Sequence, residues 1–326
     1  MTKVILDTDT GVDDALAIIL ALRSTELDVE AITTVSGNVH VDLCTSNVLR
    51  VLQLVAPVKI PCVARGCEKP LVKAPFSVPS VHGQDGLGGL DPAWYGEVDQ
   101  TPLVNTHAVD LMLEVIEQQQ GGVVLIASGP LTNVATAIKR CPRTMRKLEK
   151  LLIMGGAFRV AGNIPPGAAE FNMFVDPHAA DVVLGFGIPA VMVGLDVTHR
   201  VPLMREQLRE KLGMQSDRVC DFIVKATRLY MDFYQRDQGH DGCYLHDPLA
   251  VGVAIDSSFV KMEEMRVYVE TSGKITSGMT LPFRHPTRDR RVIDPANVSV
   301  CTEVDAERFL SLFFDRVMHD ARRREA

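Results

Sequence analysis

Residues 7–14 read DTDTGVDD. Four carboxylates, Asp7, Asp9, Asp13 and Asp14, fall within these eight positions. The run before them, Val4-Ile5-Leu6, is apolar, and residues 15–22 after them (ALAIILAL) carry no polar side chain. Acid therefore sits between two segments patterned for burial. A strand, a glycine turn and a helix in that order put the acids at the carboxyl end of the strand, where open α/β sheets bind ligands. Gly11 permits the tight turn, and Asp13 and Asp14 fall in the first turn of the helix. The helix dipole favours each of them there by at most about 1 kcal/mol. That is too little to hold four carboxylates together in a partly buried place. A hard divalent cation such as Ca²⁺ or Mg²⁺, which prefers oxygen ligands, is enough. The plainer alternative, a capped helix with a few surface acids, conflicts with flanks too apolar for a solvated face.

On either side, short β-rich runs alternate with longer helical ones. Residues 3–6, 29–35, 60–64, 123–127, 151–154 and 190–194 read as buried strands. Residues 13–22, 42–55, 106–118, 132–140 and 177–184 read as helices. This alternation predicts an α/β fold: one domain over residues 1–326, with an open, mostly parallel, Rossmann-like sheet covered by helices on both faces. The Pro/Gly-rich stretch 69–92 reads as a loop or flap over a site. Residues 204–234 read as helical, 265–270 as a late strand and 307–319 as a closing helix.

The 326 residues are 46% hydrophobic, ample for a packed core, and the net charge is −7. Lys and Arg are scattered apart from Arg322-Arg323-Arg324, read as a solvated helix end, so no nucleic-acid or membrane partner is expected. No apolar run is long enough to span a bilayer, and no signal peptide is read at the N-terminus. The seven cysteines are widely spaced, form no CxxC and pair with no His at zinc spacing. A reduced, cytoplasmic location is the expectation.

Three metal or phosphate motifs compete for DTDTGVDD. An EF-hand loop needs Gly at position six and Glu at position twelve, but here Gly11 is fifth and Ile18 is twelfth. A phosphatase of the haloacid dehalogenase type usually has Thr or Val two residues after the second Asp, where this chain has Gly11. The third pattern, Asp-x-Asp-x-Gly-x-Asp-Asp after a first strand, opens the nucleoside hydrolases, and the chain matches it at every fixed position. Thr10 stands where that family more often has Pro. Further blocks follow in the family's order: AITTVSGN (31–38), VHGQDGLGG (81–89), LIASGPLTN (125–133), LIMGGA (152–157), AEFNMFVD (169–176) and LHDPLAV (245–251), with a weaker GMTLPFRHP (278–286). The chain thus resembles the nucleoside hydrolase family, of the inosine–uridine preferring type and the subgroup with a base-side histidine, over nearly its whole length.

The resemblance implies a nucleoside hydrolase fold and a ribonucleoside N-glycosidase that acts on purine and/or pyrimidine ribonucleosides, inosine and uridine foremost, and uses one Ca²⁺ per subunit and a metal-activated water, with inversion. It implies Asp9, Asp14, Asp247 and the carbonyl of Ser128 as metal ligands, and Asp9 as general base. Asp13, Asn38, Asn163, Glu170 and Asn172 would grip the ribose, Met154 would pack beneath it, and Asp7 would stand behind. His246 would protonate or orient the departing base, with His82 and Tyr234 also on the base side. Tyr230 lies one helical turn before Tyr234. The family is usually dimeric or tetrameric. From the residues alone, Asp247 before Pro248 also reads as a helix cap, and Asn133 after Gly-Pro as a helix start outside the site. His40, His107, His178, His199, His285 and His319 read as structural or surface histidines, and His240 stays open. Residues 235–244 (QRDQGHDGCY) read as a mobile loop carrying an exposed, oxidisable Cys243. Cys44 and Cys301 read as core. Two other functions stay in view. One is a Mg²⁺-dependent phosphoryl-transfer enzyme with Asp7 or Asp9 as nucleophile. The other is a nucleoside binder without turnover.

Overall fold

The computed structural model describes residues 1–120, 122–213, 217–283 and 295–319. Its strands are β1 (Thr2–Thr8), β2 (Leu27–Thr34), β3 (Cys62–Arg65), β4 (Leu103–Val104), β5 (Val123–Ala127), β6 (Lys150–Met154), β7 (Ala190–Val193), β8 (Pro202–Met204), β9 (Gly242–Tyr244), β10 (Val260–Val269), β11 (Thr280–Phe283) and β12 (Val298–Val304). Ten of them form one sheet in the order β11-β10-β12-β7-β6-β5-β1-β2-β3-β4. Every neighbouring pair from β12 to β4 is parallel, while β10 and β11 run antiparallel at one end. This is the expected α/β class with a mostly parallel sheet.

Alternation along β1 sets the two faces. Val4 and Leu6 pack into one buried cluster, with helices Val12–Leu22, Arg218–Gln238, His246–Ile255 and Ala306–Met318. Ile5 points the other way, toward helices Ala108–Gln118, Thr132–Arg140 and Pro177–Phe186. Helix Val12–Leu22 is buried along its whole length. That explains a run with no polar side chain: the helix is wrapped on all sides rather than amphipathic.

The chain builds outward from β1 through β2, β3 and β4, then returns to β5 on the other side of β1. The strand order therefore reverses between β1 and β5. Crevices at such switch points, beyond the strand carboxyl ends, are where open α/β sheets bind ligands. DTDTGVDD leaves β1 there, and Ser128 follows β5 there.

The expected helices all form, with ends displaced by no more than a few residues, as fraying and capping dictate. Residues 204–234 divide into helices Arg205–Leu212 and Arg218–Gln238, and residues 214–216 lie outside the described ones. The mobile-loop reading of residues 235–244 is corrected. The long helix continues to Gln238, Gly239 caps it with a positive φ of 69°, and Gly242–Tyr244 forms β9 against β8. Cys243, in β9, is fully buried rather than exposed. Residues 322–324, His285 and the end of the 278–286 block lie outside the described residues. Among the described residues, no helix is long and apolar enough to cross a membrane.

Candidate active site

The four acids of DTDTGVDD and Asp247 are all buried. Asp14 is the most fully held. Its Oδ1 accepts the hydroxyls of Thr8 (2.6 Å) and Ser128 (2.7 Å). Its Oδ2 accepts the Gly11 N–H (2.9 Å) and Nδ2 of Asn38 (3.0 Å). Asp9 Oδ2 accepts the backbone N–H of Asn38 at 2.7 Å, while Oδ1 is buried with no hydrogen-bond partner. Gly37 is required beside it: a Cβ there would come within 2.1 Å of Asp9 Oδ2. Asp7 Oδ1 accepts Thr33 Oγ1 (2.6 Å) and Asn133 Nδ2 (2.8 Å) behind the cluster. Asp13 Oδ2 accepts the Tyr230 hydroxyl at 3.5 Å, and its Oδ1 is buried without a hydrogen-bond partner.

Asp13, Asp14 and Asp247 each bring one carboxylate oxygen within 4.8 Å of the others. Asp9, which the resemblance puts among the metal ligands, is not one of these three. Burial pushes the Asp7 carboxyl up to about 6, against the pull of its bonds to Thr33 and Asn133. Burial, and then the Asp14 charge, pushes Asp13 up to about 8. Burial raises Asp9 and Asp247 well above the usual carboxylate range, with Asp14 next in effect on Asp9 and Asp13 next on Asp247. Among the described residues, no lysine or arginine pairs with any of the five. Orphaned carboxylate oxygens, mutual repulsion and no protein cation are the donor set a hard divalent ion fits.

A second bank faces the acids. Glu170 caps helix Phe171–Val175: Oε1 accepts the N–H of Asn172, and Oε2 those of Gly156 and Met173. Burial lifts its carboxyl to about 7, against those bonds. Asn172 Nδ2 donates to the carbonyls of Ser128 (2.7 Å) and Met154 (3.1 Å), leaving its Oδ1 without a hydrogen-bond partner. Asn163 Oδ1 accepts the Phe171 N–H at 2.9 Å.

The third wall is aromatic. His82 Nδ1 accepts the Val12 N–H at 3.1 Å, and its ring stacks on Tyr230 at 5.1 Å. Burial lowers His82 to about 4, with Asp14 opposing. His246 is held well below the usual range by burial, then by His199 and His82. Its Nε2 lies 3.0 Å from the Tyr234 hydroxyl and its Nδ1 2.8 Å from Thr198 Oγ1. Asp13, Asn38, His82, Ser128, Met154, Asn163, Glu170, Asn172, Tyr230, Tyr234, His246 and Asp247 line one cleft, with Phe233, Asp237 and Gln238 also on its wall. Asp9 and Asp14 are buried and do not line it.

The sequence profile described as inosine-uridine preferring nucleoside hydrolase matches residues 4–311. The chain belongs to this family. It is 38% identical over 319 residues to the pyrimidine-specific ribonucleoside hydrolase RihA of Klebsiella pneumoniae, covering 96% of this chain and 97% of that one. Its fold superposes on the plant nucleoside hydrolase PpNRh1 with a TM-score of 0.89 at 35% identity, covering 97% of this chain and 99% of the other. It matches the purine-preferring ribonucleoside hydrolase from Gardnerella vaginalis with a TM-score of 0.85 at 32% identity, covering 97% and 98% of the two chains. This nucleoside hydrolase is therefore an N-glycosyl hydrolase of ribonucleosides.

Three residues that the sequence leaves outside the site or open pack around it without lining the cleft. Asn133 is no bare helix start: it is fully buried, donates to Asp7 and to the Thr34 carbonyl, and accepts the Cys67 N–H. The burial of LIAS and LTN on either side of Gly-Pro was the available signal. His199, read as structural or surface, packs 5.6 Å from His246 and 4.8 Å from Tyr244. His240 stacks on Tyr244, with ring centroids 4.9 Å apart. Asp247 is not the cap of its helix; Leu245 takes that position, and Asp247 lies in the first turn.

Proposed function

We propose that this hydrolase is Ca²⁺-dependent and cleaves pyrimidine ribonucleosides, uridine foremost, to ribose and free base, with inosine a poorer substrate. The observation that carries the reading is the cleft itself: buried carboxylates with unpartnered oxygens on one side and a His–Tyr wall on the other. Lean toward pyrimidines comes from the RihA relatives, described as pyrimidine-specific.

Asp14 and Asp247, with Asp9 or Asp13 and the Ser128 carbonyl, would hold the cation. Bound there, it would offset the carboxylate charge and make a nearby water easier to deprotonate. Asp9 takes the water's proton through its free Oδ1. Asp13, Asn38, Asn163, Glu170 and Asn172 hold the ribose hydroxyls, with Met154 beneath the sugar. Glu170 and Asn172 are themselves anchored by backbone bonds, so the Glu170 carboxylate and the unpartnered Oδ1 of Asn172 are fixed before substrate arrives. The acids set negative charge beside a ribosyl cation-like transition state, where it stabilises most. His246, Tyr234 and His82 receive the departing base. Attack from the face opposite that wall gives inversion. The reading includes assembly as a homodimer or homotetramer in the cytoplasm.

The test is to incubate the purified protein with uridine, cytidine, inosine and adenosine separately and assay free ribose, with Ca²⁺ and after chelation. Ribose from uridine that chelation abolishes is the expected result. No ribose from any of the four with Ca²⁺ present overturns the reading. Inosine cleaved faster than uridine overturns the pyrimidine preference alone.

A further inference from the structure

The hydroxyl of Thr198 has neither kind of acceptor that the other helix threonines use: Thr132 and Thr144 donate to the carboxylates of Asp176 and Glu117. Thr45, Thr136 and Thr227 donate to the carbonyl four residues earlier. Thr198 is fully buried, and among the described residues its Oγ1 has a single hydrogen-bond partner, Nδ1 of His246 at 2.8 Å. A buried hydroxyl proton without an acceptor is costly. Donating to Nδ1 is the way this one is satisfied. Nδ1 must then be the bare nitrogen of the ring, and Nε2 must carry the hydrogen.

The other end of the same chain of bonds gives the same answer. Tyr230 donates its hydroxyl to Oδ2 of Asp13 at 3.5 Å. Its oxygen is left to accept from the Tyr234 hydroxyl at 3.4 Å. The Tyr234 oxygen in turn is left to accept from Nε2 of His246 at 3.0 Å. Reversing the direction would strand the Thr198 proton in the core and take from Oδ2 of Asp13 the hydroxyl it accepts.

We infer that Thr198, which does not itself line the cleft, is a positioning residue that fixes His246 as the Nε2–H tautomer with its N–H toward Tyr234 and the base side of the cleft. The inference rests on the ribonucleoside hydrolase reading for its catalytic meaning, but the tautomer itself does not depend on it. When the C1′–N bond breaks, its electron pair leaves with the base. An N–H held at that wall stabilises the developing anion while its hydrogen stays on the ring. The proton given up by the attacking water is the equivalent that the neutral base finally carries away, so the ring needs no net change of charge. A ring with the hydrogen on Nδ1 would present a lone pair to the anion and oppose departure.

The direct test is ¹⁵N NMR of the histidine rings in the Ca²⁺-loaded enzyme, with His246 assigned by its loss in H246N. The expected spectrum shows a protonated Nε2 and a bare Nδ1; the opposite tautomer in the wild type overturns the inference. The functional test compares T198V and T198S on uridine and on p-nitrophenyl riboside, whose leaving group departs without help. T198V should lower kcat for uridine by about 10- to 100-fold, with KM within about twofold, as loss of a residue that orients a functional His does. Hydrolysis of p-nitrophenyl riboside should fall far less, and T198S should restore most of the uridine rate. Equal losses on both substrates would mean Thr198 only supports the fold and would overturn the positioning role. If no nucleoside releases ribose, the functional reading fails while the wild-type spectrum still decides the tautomer.

Discussion

Nδ2 of Asn133 donates to Oδ1 of Asp7 at 2.8 Å, behind the acids that face the cleft. The two residues come from neighbouring strands' ends: Asp7 from β1, and Asn133 from the first turn of helix Thr132–Arg140 that follows β5. Asn133 also closes the turn after β3 through the Cys67 N–H, and a Cβ on Gly66 would come within 2.5 Å of its Oδ1. Replacing Asn133 by Ala strips one donor from a buried carboxyl and leaves the Cys67 N–H unpaired. Each such orphan costs about 1–3 kcal/mol. The N133A protein should unfold at distinctly lower urea than the wild type while keeping measurable uridine hydrolysis. A midpoint unchanged from wild type would show that the network carries no stability.

Chelation should destabilise the protein, and more so as pH rises. Unfolded carboxyls ionise near pH about 4. Folded and metal-free, Asp7 holds its proton to about 6 and Asp13 to about 8, with Asp9 and Asp247 also raised. Between these limits the folded chain binds more protons than the unfolded one, so stability is greatest at the acid end and is lost as pH rises through 6 and then 8. A cation in the cluster replaces those protons and should flatten the slope. Thermal melts at pH 5, 6, 7 and 8, with EDTA and with Ca²⁺, should diverge steadily toward pH 8. Parallel curves would show that the carboxyls do not titrate with folding.

The sheet and its acids were legible because their signals are local. Val4-Ile5-Leu6 and residues 15–22 announce burial, and Gly11 between them announces the turn. The carboxyl-end location then follows from strand–helix order. What was not legible depends on contacts distant in sequence. Asn133 meets Asp7 126 positions away, and Thr198 meets His246 48 positions away. Neither spacing leaves a periodic trace. β9 was missed because Gly239 and Gly242 signal a loop, while the pairing that makes Gly242–Tyr244 a strand comes from Pro202–Met204. The short β4, β8 and β11 are edge or isolated pairings of the same kind, set by partners rather than propensity.

Cysteine reactivity separates the observed burial from the loop reading. Cys62 is exposed at the start of β3. Cys243 is fully buried in β9, and burial raises its thiol far above the usual range. Thiolate, not thiol, is the nucleophile. Brief alkylation of the native protein with iodoacetamide, read by peptide mass spectrometry, should label Cys62 and spare Cys243 until denaturant is added. Early labelling of Cys243 would mean that residues 239–244 open in solution.

The resemblance puts Asp9 among the metal ligands and Asp13 on the ribose, and substitution can test that assignment. Asp13 shares the tight oxygen group with Asp14 and Asp247, whereas Asp9 Oδ1 is free and Asp9 lies outside that group. If the geometry holds when the cation binds, D13N weakens Ca²⁺ binding strongly. D9N should then bind Ca²⁺ nearly as well as wild type while losing about 10²- to 10⁴-fold in kcat, the usual contribution of a general base. Isothermal titration with Ca²⁺, paired with ribose assays at saturating Ca²⁺, reads both quantities. The reverse outcome, D9N abolishing binding and D13N sparing it, would place Asp9 in the ligand set and Asp13 on the ribose. Loss of binding in both variants would make all four of Asp9, Asp13, Asp14 and Asp247 ligands, and the water's proton would then need another acceptor.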